Sequence, residues 1–154
     1  MGFIRNSMGV LVGLGVAMLL ITLGLRLHTG WITYKEFSPF IHWSKQLEAM
    51  KNENWFFVAL LFASGVGSSI GGVVTALIVK HAKVAYAMLI GFILLFLAVL
   101  DIIINPNHPI FYQIGIFLTF FPSSWVGGKI VEVIHDKSVR RKRKLAKNKA
   151  SQNG

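Results

Sequence analysis

Four long apolar stretches dominate the chain, running from Gly9 to Leu27, Trp55 to Val79, Val84 to Ile104 and Ile110 to Ile134. At a rise of about 1.5 Å per residue, each is long enough to cross a hydrocarbon layer about 30 Å thick as a helix. The pattern predicts an all-α integral membrane protein, a four-transmembrane-helix bundle occupying residues 1–135 and followed by a basic tail over 136–154. Between the first two stretches, Ser38 suits a helix cap and Pro39 the first helical position, where its missing N–H is not needed. Phe40, Trp43, Leu47 and Met50 then recur on one face. This predicts a short extracytoplasmic amphipathic helix over residues 39–50, lying on the membrane surface or folded over the mouth of the bundle.

Small residues are patterned within the spans. Gly9 and Gly13 make a smooth patch on the first. In the second, Ala63, Gly67 and Gly71 form one bare ridge, and Ser64, Ser68 and Gly72 form a second ridge beside it. Something must pack against such a surface very closely. In the fourth, Ser123-Ser124-Trp125-Val126-Gly127-Gly128 echoes Ser68-Ser69-Ile70-Gly71-Gly72. A duplicated hairpin is one source of such an echo, but the match is short and differs by one residue in spacing, which favours chance. Pro122 should bend the fourth span and leave the Leu118 carbonyl without its helical partner, with Ser123 or Ser124 taking up part of the loss. The third span, by contrast, is thickly apolar from Ala87 to Leu100 and reads as the more lipid-facing member, ending in an Asn105-Pro106-Asn107-His108-Pro109 turn.

Composition agrees with a membrane chain. Of 154 residues, 54% are hydrophobic and 14% charged, against about 25% charged in soluble domains. No separate soluble domain fits beside four spans. The first stretch follows Arg5 but is longer than the apolar core of a signal peptide, about 7–15 residues, and no small-x-small site follows it, so it is expected to remain as a helix. Asn6 stands where N-myristoylation requires Ser or Thr. With no cysteine, disulfides, thiolate nucleophiles, iron–sulfur clusters and cysteine zinc sites are excluded.

Charge sets the expected orientation. Arg5, the Lys80 and Lys83 turn, and eight basic residues between Lys137 and Lys149 fall on one side of an even number of spans. The positive-inside rule makes that side cytoplasmic, with both termini inside a cell membrane. The segment from His28 to Asn54 on the opposite side has few and mixed charges, and Arg26, at the outer end of the first span, pulls the other way but can snorkel its long stem to the headgroups. The basic tail is expected to anchor topology and meet anionic headgroups of membrane lipids. It lacks the aromatic interleaving of a single-strand nucleic-acid binder, and no nucleic-acid partner is expected.

Ionisable residues within spans are costly and need an account. Asp101, about one turn from the outer end of the third span, can reach Asn105, His108 or water and is the first candidate for a ligand or ion site, with His108 beside it. Lys129 and Glu132 stand three apart near the inner end of the fourth span. They are expected to neutralise each other, although Lys129 follows Gly127-Gly128 and could meet a headgroup in a cleft opened by those glycines. Asp101 and Lys129 belong to opposite sides. The histidines at 28, 42, 81, 108 and 135 show no metal-binding spacing, so no metal or other cofactor is expected, and no catalytic constellation is present. The sequence favours a structural or accessory membrane protein that assembles through its glycine-rich faces, as a homo-oligomer or complex subunit. A small transporter or lipid-handling protein is the alternative.

Overall fold

The computed structural model describes residues 2–29 and 39–152. Ser38, the expected cap, lies outside them, as do the side chains of Arg26, His28, Phe40 and His42. Among the described residues every regular element is helical: α1 (Gly2–Thr29), α2 (Pro39–Ala49), α3 (Asn54–Ile78), α4 (Lys83–Ile104) and α5 (Ile110–Gln152). All but α2 are long and apolar enough to cross a membrane.

Two boundaries differ from the sequence expectation. α1 begins well before Gly9, because Ile4 and Met8 extend its apolar outer face and the Asn6 amide donates to the Tyr86 hydroxyl of α4 at 3.1 Å. α5 passes Ile134 without a break and continues through the basic segment to Gln152. That segment is built largely from Lys, Arg, Leu and Ala, which are strong helix formers, and contains neither Gly nor Pro.

α3 is the central helix, packed against α1, α4 and α5. Its two bare ridges explain the position, because each admits the backbone of a different neighbour. α1 runs antiparallel along the first ridge, with Gly24 over Ala63, Ala17 and Ile21 over Gly67, and Gly13 over Gly71 and Thr75. A Cβ on Gly71 would lie 2.7 Å from the Gly13 carbonyl oxygen and 2.8 Å from the Ala17 Cβ. α5 runs parallel along the second ridge, and a Cβ on Gly72 would lie 2.9 Å from the Ser124 carbonyl oxygen. Hydroxyls reinforce both seams: Thr75 donates to the Gly9 carbonyl at 3.2 Å, and Ser68 to the Phe120 carbonyl at 3.0 Å. Helices with apolar outer walls associate mainly through such close contacts and interhelical hydrogen bonds.

The segments that echo one another in sequence meet directly. Gly72 of α3 abuts the Ser124 carbonyl of α5, and Gly127 of α5 abuts the Ser69 carbonyl of α3. Ser69 and Ser124 are as far apart in sequence as Gly72 and Gly127, so the two contacts are reciprocal. The echo is therefore a packing motif. On the far side of α5, Gly128 receives Ala87 and Val84 of α4, and Ser124 fits against Gly91.

The glycine faces, including Gly9, Gly13, Gly67, Gly71, Gly72, Gly127 and Gly128, together with Ala63, make their close contacts within one chain. α4 turns Ala87, Ile90, Gly91 and Leu94 inward and leaves most of its wall outside, more so than α3 or α5, as its apolar run suggests; α1 is enclosed less still, because it rests on α3 and touches α4 only lightly. Near Pro122, Ser124 donates to the Phe121 carbonyl at 3.0 Å and Ser68 supplies Phe120 from α3, so the serine bonding falls on the two carbonyls before the proline and not on Leu118.

The α3–α4 turn stores strain at Ala82, whose φ of 52° and ψ of 42° are left-handed. A side chain there costs about 1–2 kcal/mol. Ala82→Gly is expected to raise the unfolding free energy by about 1 kcal/mol. Denaturation in mixed micelles checks this, and a loss of stability would contradict the turn geometry.

Candidate functional site

The most organised polar cluster lies where α2, the end of α4 and the start of α5 meet. Leu47 of α2 is fully buried in the core formed with Phe56, Phe57, Tyr112 and Ile116, while Trp43 and Met50 pack at its edge. Trp43 precedes Leu47 by four residues and so shares its face of the helix. Its indole N–H reaches α4 and donates to Asp101 Oδ1 at 2.9 Å. Asn105, one turn after Asp101, donates its side-chain amide to the same oxygen at 2.8 Å. Asp101 is thus held from two elements at once.

His108 supplies the remaining contact. Its side chain is fully buried, and Nε2 lies 3.2 Å from Asp101 Oδ2, an ion-pair distance at which the ring is not aligned for a well-directed hydrogen bond. The ring stacks on Tyr112 with centroids 5.1 Å apart, and meets the edge of Phe57 at 5.7 Å. Nδ1 is 2.8 Å from the Asn105 main-chain oxygen. The turn itself is pinned to α5, since the Gln113 amide donates to the His108 carbonyl at 3.1 Å and the Pro109 carbonyl accepts from the N–H groups of Tyr112 and Gln113. A carboxylate beside apolar walls needs this many donors to offset its lost hydration.

The structure brings together Asp101, Asn105 and His108, which sequence spacing had linked. It adds Trp43, Tyr112 and Phe57, which sequence reading had assigned only to apolar surface or not singled out. One signal was available for Trp43: an indole on the inward face of a helix requires an acceptor, and Asp101 is the carboxylate at that end of the spans. The side chains of His28 and His42 lie outside the described residues.

The opposite end of the bundle is simpler. Lys129 forms an ion pair with Glu132, and both side chains are exposed, at 51% and 38%. Gly127 and Gly128 open no cleft for Lys129, because their surfaces are closed by Ser69 and by Val84 and Ala87. Trp125, Val126, Ile130, Val133 and Ile134 surround the lysine as a shallow apolar surface belonging wholly to α5. At the neighbouring turn, Lys83 Nζ donates to the Ala76 carbonyl at 3.0 Å and satisfies the end of α3. Asp101 and Lys129 are at opposite ends, as the sequence requires. Among the described residues no group of three or more His, Cys, Asp or Glu side chains is placed to hold a metal ion.

The arrangement is suited to clamping helices and to holding a proton, and the exposed basic face of α5 is suited to anionic surfaces. Comparison with protein-family models, with curated proteins and with solved structures finds no match for this chain.

Proposed function

We propose that this protein is a structural or accessory subunit of a cell membrane, with four spans, both termini in the cytoplasm and α2 on the opposite side. The outer wall supports membrane residence. Phe62 and Trp55 are 75% exposed, and Leu118 and Ile104 nearly as much, whereas Ser64, Ser68, Thr75 and Ser124 are buried. Such an inside-out distribution suits lipid as the surrounding solvent, since polar groups are satisfied internally and large apolar side chains face outward.

One observation carries the accessory reading. The backbones of α1 and α5 fill both bare ridges of α3, so separating these helices would break close backbone contacts along two seams. A bundle closed in this way serves as a rigid membrane platform. From it, α5 continues as a basic helix exposed on nearly every side. Each basic residue near an anionic leaflet contributes about 1 kcal/mol of attraction, within a screening length of about 8 Å. Because a helix rises about 1.5 Å per residue, the whole arm meets lipid headgroups only if it turns along the membrane surface. Its distal charges otherwise face an acidic partner in the cytoplasm.

The second reading, a small transporter or lipid-handling protein, is favoured by the contact of the half-buried Asp101 with the buried His108 alone. Isolation from native membranes with bound lipid retained separates the two. An accessory subunit is expected to emerge at a mass several times that of one chain, together with anionic lipid. A lone chain that catalyses solute flux in vesicles, and loses that flux on Asp101→Asn, would contradict the accessory reading.

A further inference from the structure

The imidazole of His108 has one of its hydrogen-bond roles fixed by its surroundings. Nδ1 lies 2.8 Å from the Asn105 main-chain oxygen. A carbonyl oxygen only accepts, so Nδ1 must carry a hydrogen. In a neutral ring of that tautomer Nε2 presents a lone pair, and it lies 3.2 Å from Asp101 Oδ2, with the imidazole fully buried and the Asp101 side chain 27% exposed. An ionised carboxylate would present a second lone pair along the same approach. Two such groups repel, and weak local screening keeps the repulsion strong.

A single added hydrogen removes the conflict. On Nε2 it gives an imidazolium beside a carboxylate, and on Oδ2 it gives a carboxylic acid beside a neutral imidazole. Both arrangements have the same atoms and no net charge. The other carboxylate oxygen already accepts from Trp43 and Asn105, which leaves Oδ2 as the oxygen nearest Nε2, at an ion-pair distance and not in an aligned hydrogen bond.

We propose that Asp101 and His108 form a proton-binding site holding one proton between them, and that this proton joins α2, α4 and the α4–α5 turn into one unit. The site does not depend on the accessory role proposed above. Among the described residues, the titratable group facing the pair from α5 is Tyr112, stacked on the imidazole. α2 contributes Trp43 and α3 contributes Phe57, neither of which titrates in water. Loss of the proton sets lone pair against lone pair. The ring must then turn, giving up either the Asn105 carbonyl or the stack on Tyr112, and the turn loosens beneath α2.

The direct test is nuclear magnetic resonance of the full chain in lipid nanodiscs at neutral pH, with nitrogen-labelled histidine and carboxyl-labelled aspartate. The chain has two aspartates, so Asp136→Asn identifies the Asp101 signal. The expected result is either an ionised Asp101 with both His108 nitrogens protonated, or a protonated Asp101 with hydrogen on Nδ1 alone. An ionised Asp101 beside a neutral His108 would overturn the proposal. Asp101→Asn places an N–H where the shared hydrogen sits and should leave His108 neutral with Nδ1 protonated.

Discussion

Gly71→Leu is expected to destabilise the bundle by at least about 3 kcal/mol, at or beyond the upper end of ordinary overpacking costs. Its first added carbon would already lie 2.7 Å from the Gly13 carbonyl oxygen and 2.8 Å from the Ala17 Cβ. One obstacle is backbone and the other is a side chain with no rotamer to change. Relief requires α1 to move away from α3, which also breaks the Thr75 hydroxyl bond to the Gly9 carbonyl. Gly15→Leu is the matched control, since a Cβ at Gly15 meets nothing within 4 Å. Leucine is the better helix former, so that variant should change stability by less than about 1 kcal/mol and in the favourable direction. Steric-trap unfolding in bicelles measures both. Equal losses at the two positions would show that α1 does not pack against α3 through this face.

Asp101→Leu is expected to cost about 3 kcal/mol, the lower end of the range for removing one partner from a buried pair, because the Asp101 side chain is only partly buried. The replacement leaves the Trp43 indole, the Asn105 amide and His108 Nε2 without the acceptor they share. Asp101→Asn should lose far less. Its carbonyl still accepts from Trp43 and Asn105, and its amide can donate to a neutral His108. The expected ranking is therefore wild type, then asparagine close behind, then leucine well below. Protection of the Trp43 indole hydrogen from exchange provides a local measure, lost in the leucine variant and retained in the asparagine variant. If leucine matched asparagine, α2 would be held by Leu47 burial and not by the polar clamp.

The four long helices were legible in sequence because each carries an uninterrupted apolar signal. The bare ridges of α3 likewise required close neighbours, since no ordinary side chain occupies Gly67, Gly71 or Gly72. Which neighbour took which ridge was not legible. Gly13 and Ala17 on α1, and Ser124 and Gly127 on α5, offer equally small surfaces, and only three-dimensional register distributes them. The Asp101 and Asn105 relationship followed from helical spacing. His108 and Tyr112 were harder to connect, because a turn containing two prolines gives no periodicity to extrapolate. Trp43 was hardest, because it arrives from a separate helix and its apolar ring conceals the N–H that matters. The continuation of α5 past Ile134 was visible only in helix propensity, which the high charge of that segment overshadowed.

The membrane topology on which the proposed role depends can be tested with single cysteines, because the chain contains none of its own. Asn52→Cys, His81→Cys and Asn148→Cys place one thiol in the α2–α3 turn, one in the α3–α4 turn and one on the basic arm of α5. In sealed right-side-out vesicles, a membrane-impermeant thiol reagent should label position 52 immediately and positions 81 and 148 only after permeabilisation. Labelling of 81 and 148 on opposite sides, or labelling of all three in intact vesicles, would contradict a chain that crosses the membrane four times.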